Sequence, residues 1–190
     1  GQSNRDAAGS AIAGAGDTNG DGYADVLIGA PGVDTKWENA GAVYLIHGDN
    51  EVVRSMQLDG ANAEILGESY NSAAGVSVSS AGDVNLDGYD DILIGAPGYG
   101  SLRGRAYVIH GKAGGIVDMN LSDADVKITG EYKRHQVGSS VTKGGDLNGD
   151  GYGELVIGAH NQGGEQAIFM GSAAGMMDMT YSDANAVLIG

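Results

Sequence analysis

An all-β fold of propeller-type blades, three in tandem and each of four antiparallel strands, is predicted by two features of the sequence: an acidic nonapeptide repeated three times and a fixed order of short apolar runs around it. The nonapeptides start at Asp17, Asp83 and Asp146, at intervals of 66 and 63 residues. Gly1, Gly67, Gly130 and Gly190 hold equivalent positions, which divides the chain into units 1–66, 67–129 and 130–190.

Each unit offers the same four strand-like runs in the same order. The first carries an Ala-Gly or Val-Gly pair (residues 8–14, 74–80 and 137–142) and leads into the acidic loop. The second follows the loop as a β-branched run closed by glycine: Val26-Leu27-Ile28-Gly29, Ile92-Leu93-Ile94-Gly95 and Leu155-Val156-Ile157-Gly158. Its length and composition are those of a buried strand. Gly29-Ala30-Pro31, Gly95-Ala96-Pro97 and Gly158-Ala159-His160 then turn the chain. The third run spans 41–47, 104–110 and 165–170, and the fourth 63–67, 126–130 and 186–190.

The loops carry the chemistry. Positions 1, 3, 5 and 9 are Asp17, Asn19, Asp21 and Asp25 in the first, Asp83, Asn85, Asp87 and Asp91 in the second, and Asp146, Asn148, Asp150 and Glu154 in the third. Oxygen ligands two residues apart, with glycine at position 6 for a sharp turn, suit a hard calcium ion of about seven-fold coordination. The backbone carbonyl of Tyr23, Tyr89 or Tyr152 at position 7 would complete each set, giving three calcium sites, one per unit. An EF-hand is excluded, because it needs a bidentate Glu at position 12 and a following helix. Position 12 here is Ile28, Ile94 or Ile157, inside a strand-like run. A single Asp-Asn-Gly stretch would read as a solvated turn; three copies in matching phase do not. Glu154 departs from the pattern by one methylene and Leu86 by replacing the glycine of Gly20 and Gly149.

Composition sets the remaining bounds. The 190 residues include 35 Gly but one Phe and one Trp, so the core must come from small and β-branched side chains. A net charge of −15 argues against nucleic acid or an anionic membrane as a direct partner. Nine of the carboxylates are assigned as ligands, and without cations they would repel one another within each loop. No run reaches the roughly 20 apolar residues of a membrane span, so direct membrane insertion is not expected. No signal peptide or initiator Met is visible, which reads as a mature or excised piece. With no cysteine, the composition fits a secreted bacterial protein better than an animal ectodomain.

The Gly-Ala-Pro turns and DxNxDGxxD-type loops together resemble FG-GAP repeats, those of the integrin α-subunit β-propeller and of many bacterial secreted proteins. The resemblance covers the whole chain. It departs from the family where Ala8, Ala74 and Val137 replace the aromatic of the Phe-Gly pair, and where His160 replaces Pro. What it implies is a calcium-stabilised extracellular or cell-surface propeller for adhesion or ligand display. Accessory propellers of secreted hydrolases such as phospholipases, and self-associating structural surface units, are the alternatives.

Variation between units is confined to the connection between second and third runs. It is longest in unit 1, where residues 33–39 hold Trp37, the single Trp. Such a variable loop marks an exposed rim, where a protein or carbohydrate ligand would bind, with Trp37 either an anchor for that ligand or a cap on its own blade. Three blades do not close a ring, since propellers need about four to eight. Either two chains form a homodimeric six-bladed ring or further repeats belong to a longer parent chain. An enzyme is not expected: His47 and His110 share a position that Met170 takes in unit 3, which reads as a packed strand end rather than a general base. His135, beside Lys133 and Arg134, reads as solvated.

Overall fold

The computed structural model describes residues 5–50, 57–160, 164–172 and 176–189. Sheet 1 is an antiparallel run of β1 (Ala11–Gly16), β2 (Asp25–Ala30), β3 (Ala42–Ile46) and β4 (Ala63–Leu66). Sheet 2 repeats it with β5 (Ser77–Gly82), β6 (Asp91–Ala96), β7 (Arg105–Ile109) and β9 (Val126–Thr129). Sheet 3 does so again with β10 (Val137–Gly145), β11 (Glu154–Ala159), β12 (Glu165–Phe169) and β14 (Ala186–Ile189). These are the predicted blades. The innermost strands β1, β5 and β10 pack side by side, and the three sheets form a partial propeller with no closed ring among the described residues.

Two short strands were not foreseen. β8 (Met119–Asn120) comes from unit 2 but joins the outer edge of sheet 1, and β13 (Met179–Thr180) comes from unit 3 but joins sheet 2. Sheets 1 and 2 are therefore five-stranded and sheet 3 four-stranded. At two residues each, these strands are too short for any periodicity to show in sequence.

The first strands also begin later than predicted. Gly9 and Gly75 adopt φ of +88° and +86°, which interrupts the extended chain, so β1 starts at Ala11 and β5 at Ser77. In unit 3 the strand does begin at Val137, but its register shifts between Val137 and Ser140 across Gly138. The glycine of the Gly-Ala-Pro turn serves a different need. A Cβ at Gly29 would sit 2.0 Å from the Gly75 carbonyl oxygen, and one at Gly95 would sit 2.1 Å from that of Gly138. Neighbouring sheets meet there backbone against backbone, and only glycine fits.

The pleat of sheet 2 sends alternate side chains into two cores. Ile92, Ile94, Tyr107 and Ile109 join Leu27, Val43, Leu45 and Ile65 against sheet 1. Leu93, Val108, Val126 and Ile128 join Leu155, Ile157 and Phe169 against sheet 3. β6 is buried along its whole length, which explains its unbroken apolar run. Each buried Leu or Ile contributes about 1.5–3 kcal/mol relative to exposure. The linker residue Glu68 adds a polar tie, accepting from the Arg105 guanidinium at 2.7 Å and the Tyr107 hydroxyl at 2.6 Å.

His135 corrects the sequence reading. It is 2% exposed, stacked on Tyr132 at 4.0 Å and edge-on to Tyr181 at 4.6 Å, with Nε2 3.4 Å from Glu165 Oε2. Its charged neighbours Lys133 and Arg134 suggested solvent, but the ring is a packing element within unit 3.

Candidate metal centre

Each acidic loop joins the first two strands of its sheet, and the three share one pattern of hydrogen bonds. The position 1 carboxylate gathers the amides of the turn: Asp17 Oδ1 accepts from Gly20 and Asp21 at 2.7 and 3.1 Å, and Oδ2 from Gly22 at 2.8 Å. Asp83 accepts from Asp87 and Gly88, and Asp146 from Gly149, Asp150 and Gly151. Asn19, Asn85 and Asn148 each exchange two bonds with the acid at position 5. That acid then accepts the amide of the tyrosine at position 7, Tyr23, Tyr89 or Tyr152, at 2.9–3.0 Å. The Tyr23 amide, and next the Asn19 side chain, hold the Asp21 carboxyl below its ordinary range. Gly22, Gly88 and Gly151 at position 6 have φ of +90°, +94° and +93°, as the sharp turn requires.

Position 9 separates the loops. Asp25 is 1% exposed and spends both oxygens on donors: Oδ2 takes the Thr18 amide at 3.0 Å and the Thr18 hydroxyl, and Oδ1 takes the Gly48 amide at 2.9 Å. Asp91, fully buried, does the same with Val84 and Gly111, both at 2.9 Å. Glu154, also fully buried, accepts the Leu147 amide through Oε2, while Oε1 is buried with no hydrogen-bond partner. Asp146, Asp150 and Glu154 bring carboxylate oxygens within 4.8 Å of one another, the one such acidic group among the described residues. The extra methylene of Glu154, a departure in the sequence, is what carries the carboxylate into this cluster. A buried carboxylate with one oxygen lacking a donor, grouped with two exposed acids, is a donor set that fits a hard divalent cation.

Neighbouring loops also touch. Asp17 donates its amide to Asp90 Oδ2 and accepts the Asp90 amide, both at 2.9 Å. A Cβ at Gly20 would lie 2.6 Å from the Tyr89 ring, which explains glycine at position 4 of the first loop. In unit 3 Gly153 stands where Asp90 stands in unit 2, so no carboxylate ties loop 3 back to loop 2 in this way. Sequence reasoning missed Asp90, and it missed His110, whose Nδ1 lies 3.2 Å from Asp91 Oδ1. That contact raises the imidazole pKa above its ordinary value against the opposing effect of burial.

Trp37 lies at the other end of the sheet, because β2 runs from the acidic loop to the connection that holds it. It is 43% exposed, with its carbonyl accepting from Thr35 and Ala40 and the Lys36 ammonium 5.3 Å from the ring. This connection meets the following linker, where Asn39 donates to the Asn71 side chain at 3.0 Å and Asn71 donates its amide to Glu38.

The FG-GAP repeat profile matches residues 8–46, 74–109 and 137–187, one block per unit. Among curated proteins, Integrin alpha-PS5 of Drosophila melanogaster is 31% identical over 164 residues, 81% of this chain and 15% of that protein. Integrin alpha-3 of Cricetulus griseus is 36% identical over 152 residues (80% of this chain, 14% of that protein), and Integrin alpha-4 of Xenopus laevis 28% over 145 residues (76% and 14%). The chain thus spans about a seventh of the length of these relatives. Repeating blades, acidic loops of one hydrogen-bonding pattern and these matches agree: the chain belongs to the FG-GAP repeat family.

Proposed function

We propose that the chain is a non-catalytic, calcium-stabilised propeller module that works outside the cell or at its surface, holding a rim around Trp37 for a protein or carbohydrate ligand. Kinship with integrin α subunits supports the adhesion part of this reading. The observation that carries the calcium part is Glu154, which has one buried oxygen without a donor and groups with the carboxylates of Asp146 and Asp150. The ligands would be Asp146, Asn148, Asp150 and Glu154 with the Tyr152 carbonyl, and the matching residues of loops 1 and 2. The ion would supply charge neutralisation and cross-linking of the loop, and no chemistry.

Tyr23, Tyr89 and Tyr152 sit within the loops themselves, so terbium luminescence excited through tyrosine tests the sites directly. Saturable emission from three ions per chain, displaced by calcium, is expected; emission indistinguishable from that of free tyrosine would overturn the metal reading. For the rim, Trp37 fluorescence is a local reporter because the chain has no other Trp. A shift in emission on titration with panels of soluble oligosaccharides and peptides, together with loss of binding in Trp37→Ala by calorimetric titration at unchanged melting temperature, is the expected result. A binder unaffected by Trp37→Ala would move the contact face elsewhere.

A further inference from the structure

Sheets 1 and 2 both end on a borrowed strand of one design. β8 runs parallel to β4, with Met119 opposite Ile65 and Asn120 opposite Leu66; β13 runs parallel to β9, with Met179 opposite Ile128 and Thr180 opposite Thr129. An aspartate precedes each. Asp118 accepts the outward amide of Glu64, and Asp178 that of Lys127, both at 2.8 Å. After each strand comes a single 3-10 turn whose first residue, Leu121 or Tyr181, is buried in the core between the sheets.

β14 is the corresponding strand of sheet 3, with Val187 in the place of Glu64 and Lys127. It pairs with β12 on one side and, among the described residues, with no strand on the other. Leu188 is 55% exposed, whereas Ile128, its counterpart in β9, is fully buried. An uncapped strand edge beside exposed apolar side chains is a site for strand addition.

We infer that β14 is a strand-accepting edge that takes, in parallel, the Asp-Met-Xaa-Leu/Tyr segment of a further repeat of this kind. The aspartate accepts the Val187 amide, the methionine lies opposite Leu188, and the Leu or Tyr packs on the outward face of sheet 3. A second copy of this chain is the poorer occupant. Its first unit carries Ser55-Met56-Gln57-Leu58 at the equivalent place, with a hydroxyl where both internal examples use a carboxylate.

The test extends the chain beyond Gly190 by a flexible linker of about eight Gly and Ser residues and a copy of residues 116–125, which keeps the segment at millimolar effective concentration near the edge. Hydrogen exchange at the Val187 amide is the readout, and the Glu64 amide of the same molecule, with and without Asp118→Ala in the native β8, calibrates it. Tenfold or greater slowing at Val187, lost when the aspartate of the appended copy is replaced by Ala, is the expected result. Equal exchange in the extended and unextended chains would overturn the inference. An unextended chain that sediments as a dimer with Val187 protected would overturn it too, by giving the edge to a second copy.

Discussion

Loops 1 and 2 on one side and loop 3 on the other have almost the same sequence but close in different ways. In the first two, the buried aspartate at position 9 is satisfied by backbone amides from its own loop and from the glycine two residues past the third strand, Gly48 or Gly111. In the third, the longer Glu154 keeps one amide, leaves the other oxygen without a donor, and groups with the carboxylates of Asp146 and Asp150. The first two loops are held shut by the protein, and an ion would add to that. On the proposed metal reading, the third would gain more from an ion, because its position 9 acid lacks the second amide. One methylene thus separates an acceptor satisfied on both oxygens from one that leaves an oxygen without a donor.

Removing the cation should produce the largest effect. A ligand at 100 times its Kd stabilises by about 2.7 kcal/mol per site. With three sites and a domain of this size, thorough chelation should lower Tm by roughly 15 °C or more. If the contrast between loops is right, hydrogen exchange on chelation will rise first in β10, β11 and the loop between them, and later in sheets 1 and 2. Uniform loss of protection would erase the contrast, and an unchanged melt would remove the metal altogether.

Asp91→Ala comes next and attacks the other side of the comparison. It strips the acceptor from the amides of Val84 and Gly111, each an interior donor worth about 1–3 kcal/mol when orphaned. The metal-free protein should therefore lose about 2–5 kcal/mol, measured by denaturant unfolding in chelator. Glu154→Gln is the counterpart: an amide oxygen can still accept from Leu147, so metal-free stability should hold while calcium affinity at loop 3 falls tenfold or more by calorimetric titration. A Glu154→Gln variant that loses stability in chelator but keeps its affinity would reverse the assignment.

How much of this could be read in the chain follows the same physics. The blades were legible because each unit repeats four apolar runs in phase, and sheet 2, sandwiched on both sides, keeps an unbroken Ile92-Leu93-Ile94 run. The loops were legible because position 1, 3 and 5 side chains fold onto their own turn. What sequence could not display was contact between units. The parallel β8 and β13 strands and the Asp90 tie to Asp17 join residues with no shared local pattern, and within unit 3 so does the packing of His135 against Tyr132 and Tyr181. Glu154 shows the same limit in reverse, since a conservative departure in one dimension becomes the main difference between sites in three.

The smallest predicted effect lies at His110, where loop 2 reports its own occupancy. The contact with Asp91 raises the imidazole pKa in the folded protein above 6.5. A raised value means that the stabilisation is fully present below pH 6.5 and is lost as pH climbs through the folded value. Calcium at loop 2 would compete with the imidazolium for Asp91. An NMR titration should therefore find His110 above 6.5 in chelator and closer to 6.5 with calcium, and calcium affinity at loop 2 should weaken as pH falls through that range. Loop 3 has Met170 in the same place and no imidazole to protonate, so its affinity should stay flat over that interval. Equal pH dependence at the two loops would mean that Asp91 is not shared between the histidine and the ion, and loop 2 would have to close without the competition described here.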